Sequence, residues 1–140
     1  MFPLRRSRRR SEQRRGASVV EFSICGSVLF FLFFSMVEVV RFHMVRHSLD
    51  QAAYEGARAG IVMGSTATDV EDKSNEILAA AGITGATVSV TPSVINDATE
   101  EVNVQVSAAY ADNSWLVPRL FNSLVIVANI SLDHENVASR

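Results

Sequence analysis

Residues 14–22 read Arg-Arg-Gly-Ala-Ser-Val-Val-Glu-Phe, and from Phe22 the chain continues Ser-Ile-Cys-Gly-Ser-Val-Leu-Phe-Phe-Leu-Phe-Phe-Ser-Met-Val to residue 37. An arginine-rich head thus runs into an apolar segment that carries one carboxylate near its start. Phe22–Val37 is sixteen residues without a formal charge, and adding Ala17–Val20 and Val39–Val40 extends it to 24 positions that include Glu21 and Glu38. At 1.5 Å per residue this spans roughly 36 Å, enough to cross a hydrocarbon core of about 30 Å. Leu29–Phe34 is apolar on every side, and a chain of 140 residues has little else with which to cover six consecutive Leu/Phe residues in a soluble core. A membrane helix over residues 17–40 is the expectation.

The charge pattern orients that helix. Residues 1–15 hold Arg5, Arg6, Arg8, Arg9, Arg10, Arg14 and Arg15 against Glu12, net +6, whereas residues 16–140 are net −8, so the overall −2 averages two segments of opposite sign. The positive-inside bias places the N-terminus in the cytoplasm and everything beyond about Arg46 outside, since Arg41 and Arg46 are outnumbered. Anionic lipid and topology account for the basic head, and no nucleic-acid partner is expected. The single cysteine, Cys25, lies in the apolar run, so the exported part has no intrachain disulfide.

Beyond the membrane the helix is expected to continue over residues 41–62, giving one helix from about Ala17 to Ile61. Phe42–Ile61 has no proline, and Ala52, Gly56 and Gly60 recur every four residues, a column of minimal side chains that lets another element approach closely. Glu38 stands three residues before Arg41, the spacing of an ion pair on one helix face. His43 and His47 are also four apart, but no third ligand shares their spacing, so packing or solvation is the reading and no metal is expected. Residues 63–140 then form one small domain. Gly64–Asp69 is a polar turn with Asp69 as a helix cap, and Val70, Ile77, Leu78 and Ala81 form an apolar stripe that Gly82 stops. Thr87–Thr91, Val102–Tyr110 and Leu124–Leu132 alternate as strands, the last with Leu124, Ile126, Ala128, Ile130 and Leu132 on one face. Residues 92–101 read as a hairpin link, and Asn113 or Ser114 as the cap of a short helix reaching Phe121. The fold class is α+β, with the apolar face of a short antiparallel sheet packed on the small-residue face of the long helix.

Three processing signals are poor fits. The apolar run ends in Val37-Glu38-Val39-Val40-Arg41 with no small-residue box for a secretory signal peptidase, Cys25 sits too early for a lipoprotein signal, and the run is too apolar for twin-arginine export. Arg14-Arg15, Gly16, four mostly apolar residues Ala17–Val20, Glu21, Phe22 and a long apolar run together resemble the class III signal of type IV prepilins and pseudopilins. Val37–Phe42, with Glu38 and Arg41, and Leu49–Ala59, with Ala53, Glu55, Ala57 and Arg58, look like the region characteristic of TadE-like proteins, minor pseudopilin-like components of tight-adherence (Flp) pilus systems. Val39-Val40 depart from that pattern, which usually has a glycine before the arginine. The resemblance implies a pseudopilin-like fold, cleavage after Gly16 by a prepilin peptidase on the cytoplasmic face, and loss of leader 1–16. It also implies residence in the bacterial inner membrane, and partners among other pseudopilins and the inner-membrane components of a pilus or secretion assembly. The new ammonium on Ala17 would then compensate Glu21 of a neighbouring subunit. From the residues alone, an uncleaved signal-anchored binding or scaffold protein stays open, with Glu21 simply reaching the membrane interface.

No phosphate loop, HExxH or CxxC occurs, and His43, His47 and His134 lack a Ser/Asp partner set, so neither an enzyme nor a cofactor is expected. Asp69, Glu71, Asp72 and Glu76 lack the alternating oxygen ligands and central glycine of a calcium loop and read as a solvated helix face. Asn129-Ile130-Ser131 fits a glycosylation triplet but falls inside an expected strand.

Overall fold

The computed structural model describes residues 8–96, 99–115 and 123–133, with side chains from residue 16 onward. The chain divides into two compact units, with the boundary between Val37 and Glu38. Helix α1 (Arg8–Gly60) contributes to both.

In the first unit α1 begins well ahead of the expected Ala17. Residues 8–15 contain neither glycine nor proline and are mostly straight-chain Arg, Glu and Gln, so the helix has no local reason to stop at the head. From Gly16 to Met36 every residue except Gly26 is exposed, large apolar ones included. Length and composition qualify this helix to cross a membrane, and it is the one such helix among the described residues. The hydroxyls of Ser23, Ser27 and Ser35 each donate to the carbonyl four residues back, at 2.8 Å. These polar groups are thereby satisfied within the helix, which lowers the cost of placing them in hydrocarbon.

In the second unit α1 acquires one buried stripe. Val45, Leu49, Ala52, Ala53, Gly56, Ala57 and Gly60 repeat at three- and four-residue intervals, the period that puts them on one helix face. The helix ends at Gly60, whose carbonyl accepts from Ser65 Oγ at 2.7 Å, and Gly64 then takes φ +79°, a turn that favours glycine.

Helix α2 (Ala67–Ala80) is capped by Thr66 rather than by the expected Asp69. Asp69 is the third helical residue. Its backbone N–H donates to Thr66 Oγ1 at 3.3 Å, while Thr66 N–H donates to Asp69 Oδ2 at 2.8 Å, a reciprocal capping box. The hydrogen bonds from Thr66, side chain first, hold the Asp69 carboxyl below its ordinary range. Gly82 stops the helix as expected, at φ +67°: Gly82 N–H reaches Ala79 O at 3.0 Å and Ile83 N–H reaches Leu78 O at 3.0 Å. Both bonds satisfy carbonyls left over at the helix end.

Three antiparallel strands follow in the order β1 (Ala86–Thr91), β2 (Glu101–Ala109), β3 (Val125–Asp133). The β1–β2 hairpin sets Val90 opposite Val104, and β2 sets Val106 opposite Ala128. Val102, Val104, Val106 and Ala108 of β2 are buried with Ile126 and Ala128 of β3, whereas Glu101 and Gln105 are exposed, a period-two pattern with one apolar face. That face forms one core with Val45, Leu49, Ala52, Ala53 and Ala57 of α1 and Val70 and Leu78 of α2. Burying each such valine or leucine contributes about 1.5–3 kcal/mol.

Two strand ends differ from expectation. Tyr110 is buried on the expected face but opens a single 3-10 turn (Tyr110–Asp112), and Leu124 lies just outside β3 and is exposed. Both sit where the β2 to β3 pairing has run out, and there the alternation that assigns a face no longer applies. Most of the short helix expected from Asn113 or Ser114 to Phe121 lies outside the described residues, as does His134.

The small-residue column also meets a different neighbour from the one expected. A Cβ built on Gly56 would run into Ser74 Oγ and the Val70 carbonyl, so this column faces α2 rather than the sheet. A Cβ on Gly60 would lie 2.9 Å from Val70 Cγ2 and 3.0 Å from Val102 Cγ1, so the sheet joins α2 against the helix end. Ser74, fully buried, donates to Ala52 O at 3.1 Å. Helix-to-helix contact of this closeness requires small residues.

Candidate functional site

Gly16, Ala17, Glu21 and Phe22 all lie exposed on α1 in the first unit. A Cβ on Gly16 would meet nothing within 4 Å. Packing inside this chain therefore gives no reason for glycine at that position, and the residue weakens the helix locally. Arg8, Arg9, Arg10, Arg14 and Arg15 lie on the α1 backbone with side chains outside the described set. Arg5 and Arg6 lie outside the described residues.

In the family-like segment the positions separate by role. Ala53 and Ala57 are fully buried, while Glu55 and Arg58 approach to 3.8 Å, with the arginine side chain two-thirds exposed. An exposed pair of this kind contributes about 0–1 kcal/mol. The alanines are needed for packing, and the charged pair leaves its outer face to solvent or a partner.

The most developed polar arrangement surrounds Glu38, the first residue of the second unit. Expected to share one helix face with Arg41, Glu38 is buried at 8% exposure. Tyr110 Oη lies 2.9 Å from Glu38 Oε1 and 3.1 Å from the Glu38 carbonyl, and Ser114 Oγ also donates to Glu38 Oε1. Arg41 Nε donates to the Asn113 carbonyl at 3.0 Å. Asn113 in turn donates through Nδ2 to Thr84 O at 2.9 Å and Ala109 O at 3.1 Å, and accepts from Thr84 N–H at 3.0 Å through Oδ1. Phe42 packs edge-on against the Tyr110 ring, centroids 5.4 Å apart. Both Glu38 and Arg41 thus reach across to the 110–114 segment, because the stripe that buries Val45 and Leu49 turns the preceding helix turn toward the same neighbour.

Burial, then the hydrogen bond and charge of Glu38, push the Tyr110 phenol up to about 12, with Arg41 opposing. A proton-retaining phenol donating to a buried carboxylate is a structural fastener. Beside it is a recess of about 240 Å³ lined by Glu38, Val39, Phe42, Tyr110 and Leu124.

The sequence singles out Glu38 and Arg41 but not their partners. Tyr110 reads as a strand residue and Asn113 and Ser114 as caps; the separation of 72 residues between Glu38 and Tyr110 carries no local signal. Ser74 is also missed. Its signal is a small polar residue at an i+4 step between the apolar Val70 and Leu78. Among the described residues no three His, Cys, Asp or Glu side chains are grouped to hold a metal ion, and His43 and His47 are both exposed.

No curated protein sequence and no solved structure gives a match to this chain. The family model described as TadE-like protein matches residues 16–58, beginning at Gly16 and ending two residues before the last residue of α1.

Proposed function

We propose that this chain is a minor pseudopilin-like component of a tight-adherence (Flp) pilus or related secretion assembly, anchored in the inner membrane with its second unit exported. The observation that carries the reading is the coincidence of the TadE-like match with the helix that bears Gly16, Glu21, Glu38 and Arg41. On this reading the prepilin peptidase cuts after Gly16, and Glu21 meets the new Ala17 ammonium of a neighbouring subunit. Glu21 is exposed on the first unit, and a carboxylate deep in hydrocarbon is costly, so a cationic partner would stabilise assembly over the isolated subunit. Intact-mass measurement of the membrane-purified chain, from cells with an active prepilin peptidase, tests the cut. Loss of residues 1–16 is expected, and a retained arginine-rich head would overturn the reading.

A second reading, an uncleaved signal-anchored scaffold, is favoured by one observation. Helix α1 continues through Gly16 back to Arg8, and a peptide bond inside an intact helix must unwind before a peptidase reaches it. The same mass measurement separates the two.

A further inference from the structure

We propose that copies of this chain join edge to edge through their sheets, β3 of one copy pairing in parallel with β1 of the next. The proposal rests on reading the chain as a membrane-anchored assembly component and adds the surface through which its copies meet.

Both edges of the sheet are open. Among the described residues β1 and β3 each have β2 as their one neighbouring strand, and neither makes a backbone hydrogen bond outside that ladder. The usual guards of a sheet edge are also missing. Neither strand contains proline, lysine or arginine, the one charge is Asp133 at the end of β3, and the register to β2 is unbroken along both, so neither is bulged.

The phase of the ladder tells which backbone groups face outward. Tyr110 N–H donates to Leu124 O, and this pair continues the register that sets Ala109 opposite Val125. Bonded and non-bonded pairs alternate in an antiparallel ladder, so the even-numbered residues of β3 bond to β2. Val125, Val127, Asn129 and Ser131 therefore aim their N–H and C=O groups at the open edge, with their side chains on the exposed face of the sheet. Toward β1, β2 uses its odd-numbered residues, so the outward groups of β1 belong to Ala86, Val88 and Val90, whose side chains pack against the core. In an antiparallel pair the edge-facing residues of the two strands sit opposite each other and share a face; in a parallel pair they alternate and occupy opposite faces. With the apolar faces of two copies on the same side, β3 thus fits β1 only in parallel, and two β3 edges fit each other only antiparallel.

The course of α1 chooses between these. In the second unit it starts at Glu38, bonded to Tyr110 beside the start of β3. It ends at Gly60, where an added Cβ would lie 3.0 Å from Val102, the residue opposite Leu132 near the end of β3. Here α1 runs in the direction of β3 and β1. Pairing two β3 edges would turn the α1 of one copy end for end, which chains inserted through the same N-terminal run do not allow. The β3-to-β1 junction keeps every copy in one direction. It also places half-buried Ile130 and Leu132 on the same face as half-buried Val88 and Val90 of the next copy, which extends the apolar face across the junction. Because unlike edges meet, each added copy leaves one edge free, and growth is open-ended.

The test uses the full chain with Cys25→Ser in cells with an active prepilin peptidase. Asn129→Cys and Ser89→Cys lie on the exposed sheet face near the middle of their strands. A short bismaleimide is applied to membranes from cells that make either chain alone, or both with different tags. The expected result is a cross-linked dimer holding one of each when both are present, and none from either alone. Val127→Pro, added to the Asn129→Cys chain, removes an N–H that points to the edge and no bond to β2. It should abolish the cross-link while the thermal midpoint of the purified chain stays near that of the parent. Val127→Lys, which charges the edge without touching the backbone, should remove most of the cross-link as well. Cross-linking by Asn129→Cys alone would put a second β3 in place of β1 and overturn the arrangement. No cross-link in any combination, or one that survives both blocking changes, would overturn edge pairing altogether. Intact mass and membrane fractionation of the same samples report the leader cut and the anchor, so a cut, membrane-bound chain without cross-links would sink the junction alone.

Discussion

At the scale of single residues, the tightest constraint is Gly56. Replacing it by alanine gains up to about 1 kcal/mol of helix propensity. The new methyl group, however, meets Ser74 Oγ in a fully buried contact, and moving that hydroxyl aside breaks its hydrogen bond to Ala52 O. Overpacking typically costs about 1–3 kcal/mol, so Gly56→Ala is expected to lower the thermal midpoint of the purified chain. Adding Ser74→Ala should recover part of the loss; a midpoint that rises in the single variant would show that α2 does not pack on this column. Tyr110 gives a second test. Its raised pKa, about 12 against the ordinary 10.0, means that the folded state holds the phenolic proton more tightly than the unfolded one. The associated stability is complete below about pH 10 and is lost as pH rises through about 12. Tyr110→Phe removes a donor to a buried carboxylate and should cost about 1–3 kcal/mol at neutral pH. It should also abolish that alkaline component of the stability profile; an identical profile in both proteins would mean that the Glu38 contact does not hold the proton.

At the scale of elements, the sequence is most legible where the controlling signal is local. The stop at Gly82 and the alternation of Val102, Val104 and Val106 each lie within a few residues of the structure they dictate, and each forms where expected, whereas the apolar run is helical within a helix that begins ahead of the expected Ala17. The start of α2 is equally local but depends on a choice between two oxygens. Thr66 and Asp69 are both capable caps, and the structure uses Thr66 as cap with Asp69 reaching back, because Ala67 and Thr68 already take helical conformation. Thr66→Ala is expected to destabilise the chain by about 1 kcal/mol, with the thermal midpoint as the measurement. Asp69 is held below its ordinary pKa, so its contribution is present above the unfolded-state value of 3.8 and is lost as pH falls through the lower folded value. An acid titration in which Thr66→Ala and the parent lose stability in parallel would rule out that coupling. Illegible from local pattern are the partners of Glu38 and of Gly56. Both contacts join segments far apart in the chain, and their pairing follows from how α1, α2 and the sheet settle against one another. The small-residue column announced close approach but not which element would make it.

At the scale of the whole molecule, the candidate site falls into the same two classes. The proposed processing signal at Gly16–Phe22 is a linear pattern and needs no fold to be read, whereas the Glu38–Tyr110–Asn113 fastener exists only once the second unit has formed. Orientation in the membrane belongs to the first class and gives the last prediction. Seven arginines precede the apolar run, and Arg41 and Arg46 follow it. Because the bias depends on Lys and Arg close to the ends of the span, changing Arg5, Arg6, Arg8, Arg9 and Arg10 to glutamine leaves Arg14 and Arg15 against Arg41 and Arg46. The apolar run is untouched, so insertion should persist while the preference for one orientation weakens. Protease added to spheroplasts should digest the second unit of the parent chain and leave a protected fraction in the five-arginine variant. Arg46→Gln added to that variant removes an opposing charge without touching the Arg41 contact to Asn113, and should shrink the protected fraction. Complete digestion of the five-arginine variant would mean that the head does not set the orientation. The folding of the second unit, too bulky and polar on one sheet face to be held in the membrane, would then be the stronger determinant.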